Sequence, residues 1–201
     1  MKAAVVSLMA SAISLTNAVT LRNHVNGGCR GNSVQCSYIL HDVCCGSISG
    51  YSDSVYVTGL HVYGVASLLT GSGSDACGGK VVISNTGLDL CLTNPDGIEF
   101  TTGSMWHALS QCSTSCKRDP VSDFMELPEE ERLRILSEKG CKGSVQPDKL
   151  ILSDGHAFEI GNGTSVEDVE VLLEMARAKA DATIDDVPEH LLSLKVDLSV
   201  L

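Results

Sequence analysis

The chain has 201 residues and a formal net charge of −11. That length suits one domain or two small ones, and an acidic surface of this kind repels phosphate backbones, which argues against nucleic acid as a partner. Beyond the first residues no apolar run approaches the length of a transmembrane helix, so no membrane span is expected.

The chain opens as a secretory signal peptide. Lys2 supplies the positive n-region, Ala3 to Leu15 form the apolar h-region, and Thr16-Asn17-Ala18 ends in a small residue suited to signal peptidase. Residues 1–18 are expected to be removed, with the mature protein starting at Val19. The stretch is too short and too rich in Ser and Ala to span about 30 Å of hydrocarbon. The expected location is extracellular. No retention tetrapeptide or glycolipid-anchor signal ends the sequence as given.

Residues 19–118 read as short β-branched or aliphatic runs separated by turn residues. Strands are expected at Val19-Thr20-Leu21, Ser33 to Cys36, Tyr38 to Leu40, Ser54 to Val57 and Gly64 to Leu69. Further ones follow at Val81 to Ser84, Leu88 to Leu92 and Ile98 to Thr101. The pattern predicts an antiparallel sandwich or barrel, with no helical periodicity before about residue 104. Lys117-Arg118-Asp119-Pro120 is the expected boundary; the dibasic pair there is read as a charged loop rather than a processing site.

Residues 119–201 differ. They carry 8 Lys/Arg against 19 Asp/Glu, where residues 19–118 carry 5 against 6. Leu127-Pro128 followed by Glu129, Glu130 and Glu131 starts a helix that Gly140 stops, since Pro suits the first turn and carboxylates favour the positive end of the helix dipole. Lys149 to Ile160 predicts a β-hairpin with Asp154-Gly155 at its turn. Thr164 to Glu167 offers a capping box for a helix from Val166 to about Ala180, with Val169, Leu172, Leu173 and Ala176 as its apolar stripe. Pro188 to Leu194 suggests a short last helix. The fold class expected is therefore α+β, a disulfide-rich β domain at 19–118 and an acidic α+β region at 119–201.

All nine cysteines, Cys29, Cys36, Cys44, Cys45, Cys77, Cys91, Cys112, Cys116 and Cys141, follow residue 18. After export they read as a disulfide framework. Cys29, Cys36, Cys44 and Cys45 are expected to bridge among themselves, with Cys44 and Cys45 reaching different partners, and Cys77 is expected to pair with Cys91. Nine cannot all pair within one chain. Cys141 is expected to join Cys112 or Cys116, leaving the other free or linking two chains as a covalent homodimer. Cys112-x3-Cys116 has ligand spacing for zinc, but no matching pair follows, so no metal and no cofactor is expected. Asn162-Gly163-Thr164 is an N-glycosylation sequon in a turn before a helix.

No nucleophile elbow, zinc-protease motif or phosphate loop is present. His41-Asp42 and Trp106-His107 are the histidines with suggestive neighbours. Tyr51, Tyr56 and Tyr63 are the close set of aromatics that a sugar-binding surface would use, while Glu129 to Glu131 and Asp185-Asp186 read as solvated faces. Over residues 19–100, Cys29-x-Gly31, Cys36, Cys44-Cys45-Gly46, Ser54-Val55-Tyr56-Val57-x-Gly59 and Cys77-Gly78 resemble the small secreted cysteine-rich proteins of filamentous fungi, some of which are similar to βγ-crystallins. The aromatic corner of the crystallin Greek key is replaced here by Leu21-Arg22-Asn23-His24, and Ser52-Asp53-Ser54 is a fragment of its calcium clamp. The resemblance implies a scaffold and a place more than a reaction. Two functions remain. One is a secreted, non-enzymatic protein that binds an extracellular protein or polysaccharide, effector-like or wall-associated. The other is a small secreted hydrolase gathering His41 or His107 with a carboxylate in space.

Overall fold

The computed structural model describes residues 19–47, 52–71, 78–95, 101–109, 120–161 and 163–198. The expected signal peptide, Tyr51, Cys77, Ile98 to Phe100, Cys112, Cys116, Lys117 to Asp119 and Asn162 lie outside them.

Eight strands come first: β1 (Val19–Asn26), β2 (Arg30–Ile39), β3 (Val43–Gly46), β4 (Ser54–Thr58), β5 (Gly64–Thr70), β6 (Val81–Asn85), β7 (Asp89–Thr93) and β8 (Thr101–Ala108). Then follow α1 (Pro120–Met125), α2 (Glu129–Lys139), β9 (Gly143–Val145), β10 (Lys149–Ile151), β11 (Ala157–Glu159), α3 (Val166–Ala178), two 3-10 turns and β12 (Lys195–Val196). They build two sheets, β12-β11-β10-β2-β1-β4-β7 and β6-β5-β8-β3-β9. Every pairing is antiparallel except β3 with β9.

The central core lies between the sheets. The larger sheet contributes Leu21, Val55, Val57 and Leu92, and the smaller one Cys45, Ala66, Leu68 and Trp106. The Trp106 indole N–H donates to the Ile39 carbonyl at 2.9 Å, so the ring is buried without leaving its polar atom unpaired. The outer face of the smaller sheet is covered too: Val65, Leu69 and Met105 pack with Phe124 of α1 and Leu136 of α2. Burial on both faces is why β5 reads as a continuous run, Gly-Val-Ala-Ser-Leu-Leu, rather than an alternating one. It also explains β8, whose Gly103 to His107 are all buried and which extends well past the expected end at Thr101.

The larger sheet continues through the acidic region. Val34, Leu150 and Phe158 stand side by side across β2, β10 and β11, and this row packs on Leu172 and Ala176 of α3. The expected hairpin is β10–β11, with Gly155 at φ 88° in its turn. The helix expected from Leu127 is α2, ended by Gly140 at φ 67°. α3 starts at Val166 as expected, but its cap is Ser165, whose side chain accepts from the Asp168 amide, rather than Thr164. The last helix expected at 188–194 is a 3-10 turn at Glu189–Leu194. Neither α1 nor β9 was expected, being too short for a periodicity to show.

Asn32 joins the two halves. It is fully buried; its side-chain amide donates to the Ala176 and Lys179 carbonyls and accepts from the Ser153 amide, and its backbone N–H donates to Ala180. The neighbouring Gly31, at φ 71°, comes so close to the Ala180 carbonyl that a Cβ would lie 2.6 Å from it.

Candidate functional site

The disulfides differ from the expected set. Cys36 bridges Cys45, within the group expected to pair. Cys29, however, bridges Cys91 rather than a member of that group, which also removes Cys91 from Cys77. The reason is the sheet: β1 lies between β2 and β4, and β7 follows β4, so the β1–β2 turn reaches β7 across the end of β4. Cys44 is disulfide-bonded as well, and not to any of these four. Cys141 is free, against the expected bridge to Cys112 or Cys116. Its thiol donates to the Gly143 carbonyl at 2.6 Å and it lines a cavity of about 400 Å³ with Ser137, Lys142 and Ser144.

The histidine–carboxylate pair read in the sequence is part of a larger cluster. The β2–β3 turn presents Asp42 at φ 61°, a left-handed conformation that Asp tolerates better than most residues. Its amide donates to the Trp106 carbonyl and its carbonyl accepts from the Lys142 amide, so the turn is fixed to β8 and to the α2–β9 link. The Asp42 carboxylate then gathers three side chains. Oδ1 lies 2.9 Å from His107 Nδ1; Oδ2 lies 2.9 Å from His41 Nδ1 and 2.7 Å from Lys142 Nζ. Burial alone would raise the Asp42 carboxyl, but the hydrogen bonds from Lys142, His41 and His107 more than offset it and hold it well below the usual carboxylate range. Burial pushes the His107 imidazole down, and Asp42 only partly restores it, so His107 is neutral at neutral pH.

Geometry limits what this cluster can do. His107 is completely buried, and its Nε2 has no hydrogen-bond partner. With Nδ1–H donated to Asp42, the free lone pair points into packed protein. His41 is 48% exposed and is the one imidazole of the cluster that meets solvent; the Trp106 ring stands edge-on beside it, 5.8 Å between centroids. An acid–base dyad needs a reacting group within hydrogen-bond reach of the base, and among the described residues the partners of the His41 ring are Asp42, Lys142 and Trp106. The cluster reads as a clamp that ties three segments together. Lys142 was invisible in the sequence because it lies 100 residues from Asp42.

The other candidates disperse. Tyr56 stands on the outer face of the larger sheet between Arg22 and Cys91, whereas Tyr63 sits in the β4–β5 turn against His61. Glu129, Glu130 and Glu131 form the exposed first turn of α2. Asp186 pairs with Lys179 and caps the 3-10 turn through Thr183, while Asp185 is solvent-exposed. Among the described residues no group of three or more His, Cys, Asp or Glu side chains is disposed to hold a metal ion, and no helix is long and apolar enough to cross a membrane.

The architecture defines a disulfide-bonded two-sheet domain carrying helices on two of its faces. The family model ARB_05566_N, N-terminal domain, matches residues 20–148, and the chain belongs to that family. The match runs past residue 118 to the doorstep of β10, so it takes in α1, α2 and β9, which complete the smaller sheet and its outer cover. Neither the curated proteins nor the solved structures contain a match.

Proposed function

We propose that the protein is secreted and acts outside the cell as a disulfide-stabilised, non-enzymatic binding protein, effector-like or wall-associated, akin to the small cysteine-rich secreted proteins of filamentous fungi. The observation that carries this reading is the inward construction of the Asp42 cluster: His107 is sealed, and His41 is held to a carboxylate that also holds Lys142. Such an arrangement spends its hydrogen bonds on the fold. Long-lived covalent cross-links such as Cys29–Cys91 and Cys36–Cys45 suit a protein exposed to proteases and dilution, since a disulfide typically stabilises by about 2–4 kcal/mol. The crystallin-like resemblance adds a two-sheet scaffold and no reaction.

The test is expression of the full chain in a secreting yeast or fungal host. The protein is expected in the medium, starting at Val19 and bearing a glycan on Asn162. Wild type and His41→Ala should be equally inert toward ester, glycoside and peptide substrates. Retention in the cell with residues 1–18 attached would overturn secretion. Hydrolysis that disappears in His41→Ala would overturn the non-enzymatic reading in favour of a small hydrolase.

A further inference from the structure

Among the described residues the apolar interior divides at 146–148. The cluster between the sheets and the cluster under α1 and α2 draw their members from Val19 to Val145. The remaining cluster holds Leu150, Phe158, Leu172 and Leu191 with their neighbours, all from 150–194 except Val34 and the half-buried Val25. The family match ends at residue 148, the same place. A packing boundary and a sequence boundary thus coincide, and β10 is the strand through which the later segment pairs with the earlier one.

The contact between the two segments is built as a strand addition. Lys149, Leu150 and Ile151 pair with Gln35, Val34 and Ser33, and the Asp148 amide extends the ladder by donating to the Gln35 carbonyl at 2.9 Å. Val34 is fully buried against the side chains of the later segment. Asn32 meets the end of α3. Carbonyls at a helix end lack partners within the helix, and the Asn32 side-chain amide donates to those of Ala176 and Lys179 at 3.1 and 2.6 Å. Without residues 149–198 this edge of β2 would present unpaired N–H and C=O groups beside an exposed valine, a template for an added strand.

We propose that this edge of β2 is a docking site for an extended strand followed by a helix end, and that residues 149–198 are a module seated there in cis, able to leave the site and to bind it from another copy. What the site offers sets the class of ligand: a short ladder at Ser33 to Gln35, an apolar contact at Val34 and a side-chain amide at Asn32 placed for helix-end carbonyls. The inference rests on packing and goes beyond the extracellular binding role, which stands whichever way this one falls.

Cutting the full chain between the two segments tests it. Gln146 is exposed, so a recognition sequence for a specific protease is inserted after it and the secreted protein is cleaved. No cysteine follows Cys141, so no disulfide ties the two pieces together. The expected result in sedimentation velocity is a complex that separates on dilution and re-forms on concentration. A labelled second piece from another preparation should exchange into it. After separation the first piece should keep its hydrogen-exchange protection in β1, β4 and β5. Asn32→Ala and Val34→Ser should each raise the dissociation constant by about tenfold or more, through lost hydrogen bonds and a lost apolar contact. Cys141→Ser, beside the smaller sheet, should leave it unchanged. Hydrogen exchange of β1 and β4 in the uncut variants should match wild type, which separates lost docking from lost folding. Pieces that part only in denaturant would overturn the proposal. So would a first piece that loses protection throughout once the second has left, or a dissociation constant indifferent to both variants.

Discussion

One face of the larger sheet is covered in two ways. Over β1, β4 and β7 the cover is the second sheet, and a covalent bond, Cys36–Cys45, passes through the core between them. Over β10 and β11 the cover is α3, and that core holds Val34, Leu150, Phe158, Leu172 and Ala176 without a cysteine. The first half restrains its unfolded chain; the second relies on buried apolar area and on the polar tie of Asn32 to the end of α3. Two stabilising devices thus share one sheet, and the strand that carries both is β2, with Cys36 and Val34 two residues apart on the same side.

Removing a staple should have the largest effect. The Cys29–Cys91 bridge closes a 62-residue separation, for which loop entropy gives about 4 kcal/mol. Cys29→Ser with Cys91→Ser should lower the unfolding free energy from denaturant titration by that amount, and reduction of the wild type should move it in the same direction. A shift under about 1 kcal/mol would mean that the ladder of β4 with β7 already holds the turn without the bond.

The unstapled half is probed by Leu172→Ala, a completely buried side chain facing β10 and β11. The expected loss is about 3 kcal/mol. Hydrogen exchange should rise first in α3 and the β10–β11 hairpin while β1 and β4 stay protected. Uniform loss of protection would show that the two covers unfold as one unit and that the division between them is only geometric.

Acid should strike the stapled half. His24, buried on β1 between Ser33 and Ser54, has its imidazole pushed down to about 4 by burial, with the Arg22 charge adding to it. The unfolded imidazole takes up a proton near pH 6.5, which the folded one refuses until about pH 4, so protons favour the unfolded state across that window. Stability should be full above about pH 6.5 and fall by roughly 2–3 kcal/mol by pH 4. His107 shifts in the same direction, and Asp42 adds a further loss only below its ordinary carboxylate range. His24→Gln should flatten the upper part of the profile. A profile that is the same with and without His24 would place the acid response elsewhere.

Local chemistry made much of this fold legible. Asp154-Gly155 marks its hairpin because a tight turn needs φ above zero, Gly140 stops α2 for the same reason, and the stripe of Leu172 and Ala176 follows from 3.6-residue periodicity. β8 was harder: Gly103-Ser104-Met105-Trp106-His107 shows no alternation, since both of its faces are covered. The candidate cluster was half legible. His41-Asp42 and His107 could be singled out as chemistry-bearing residues, but only the pairing of β3 with β8 and the return of the chain at Lys142 bring them to one carboxylate.

By itself the sequence marked the helix stop at Gly140, the hairpin turn at Asp154-Gly155 and the centres of most strands and of the two longer helices, and that eight of its cysteines sit in the β-rich stretch, because those properties depend on φ, on side-chain branching and on neighbours a few residues away. Tertiary structure decided the rest. Which cysteines meet follows from strand order: β4 separates β1 from β7, and Cys29 reaches Cys91 across it. Whether a histidine is a base or a buried strut follows from what covers it, and α1 and α2 cover the outer face of β8. The meeting of Val34 with Leu150, and of Asn32 with the end of α3, follows from register, a long-range property that no window of residues contains.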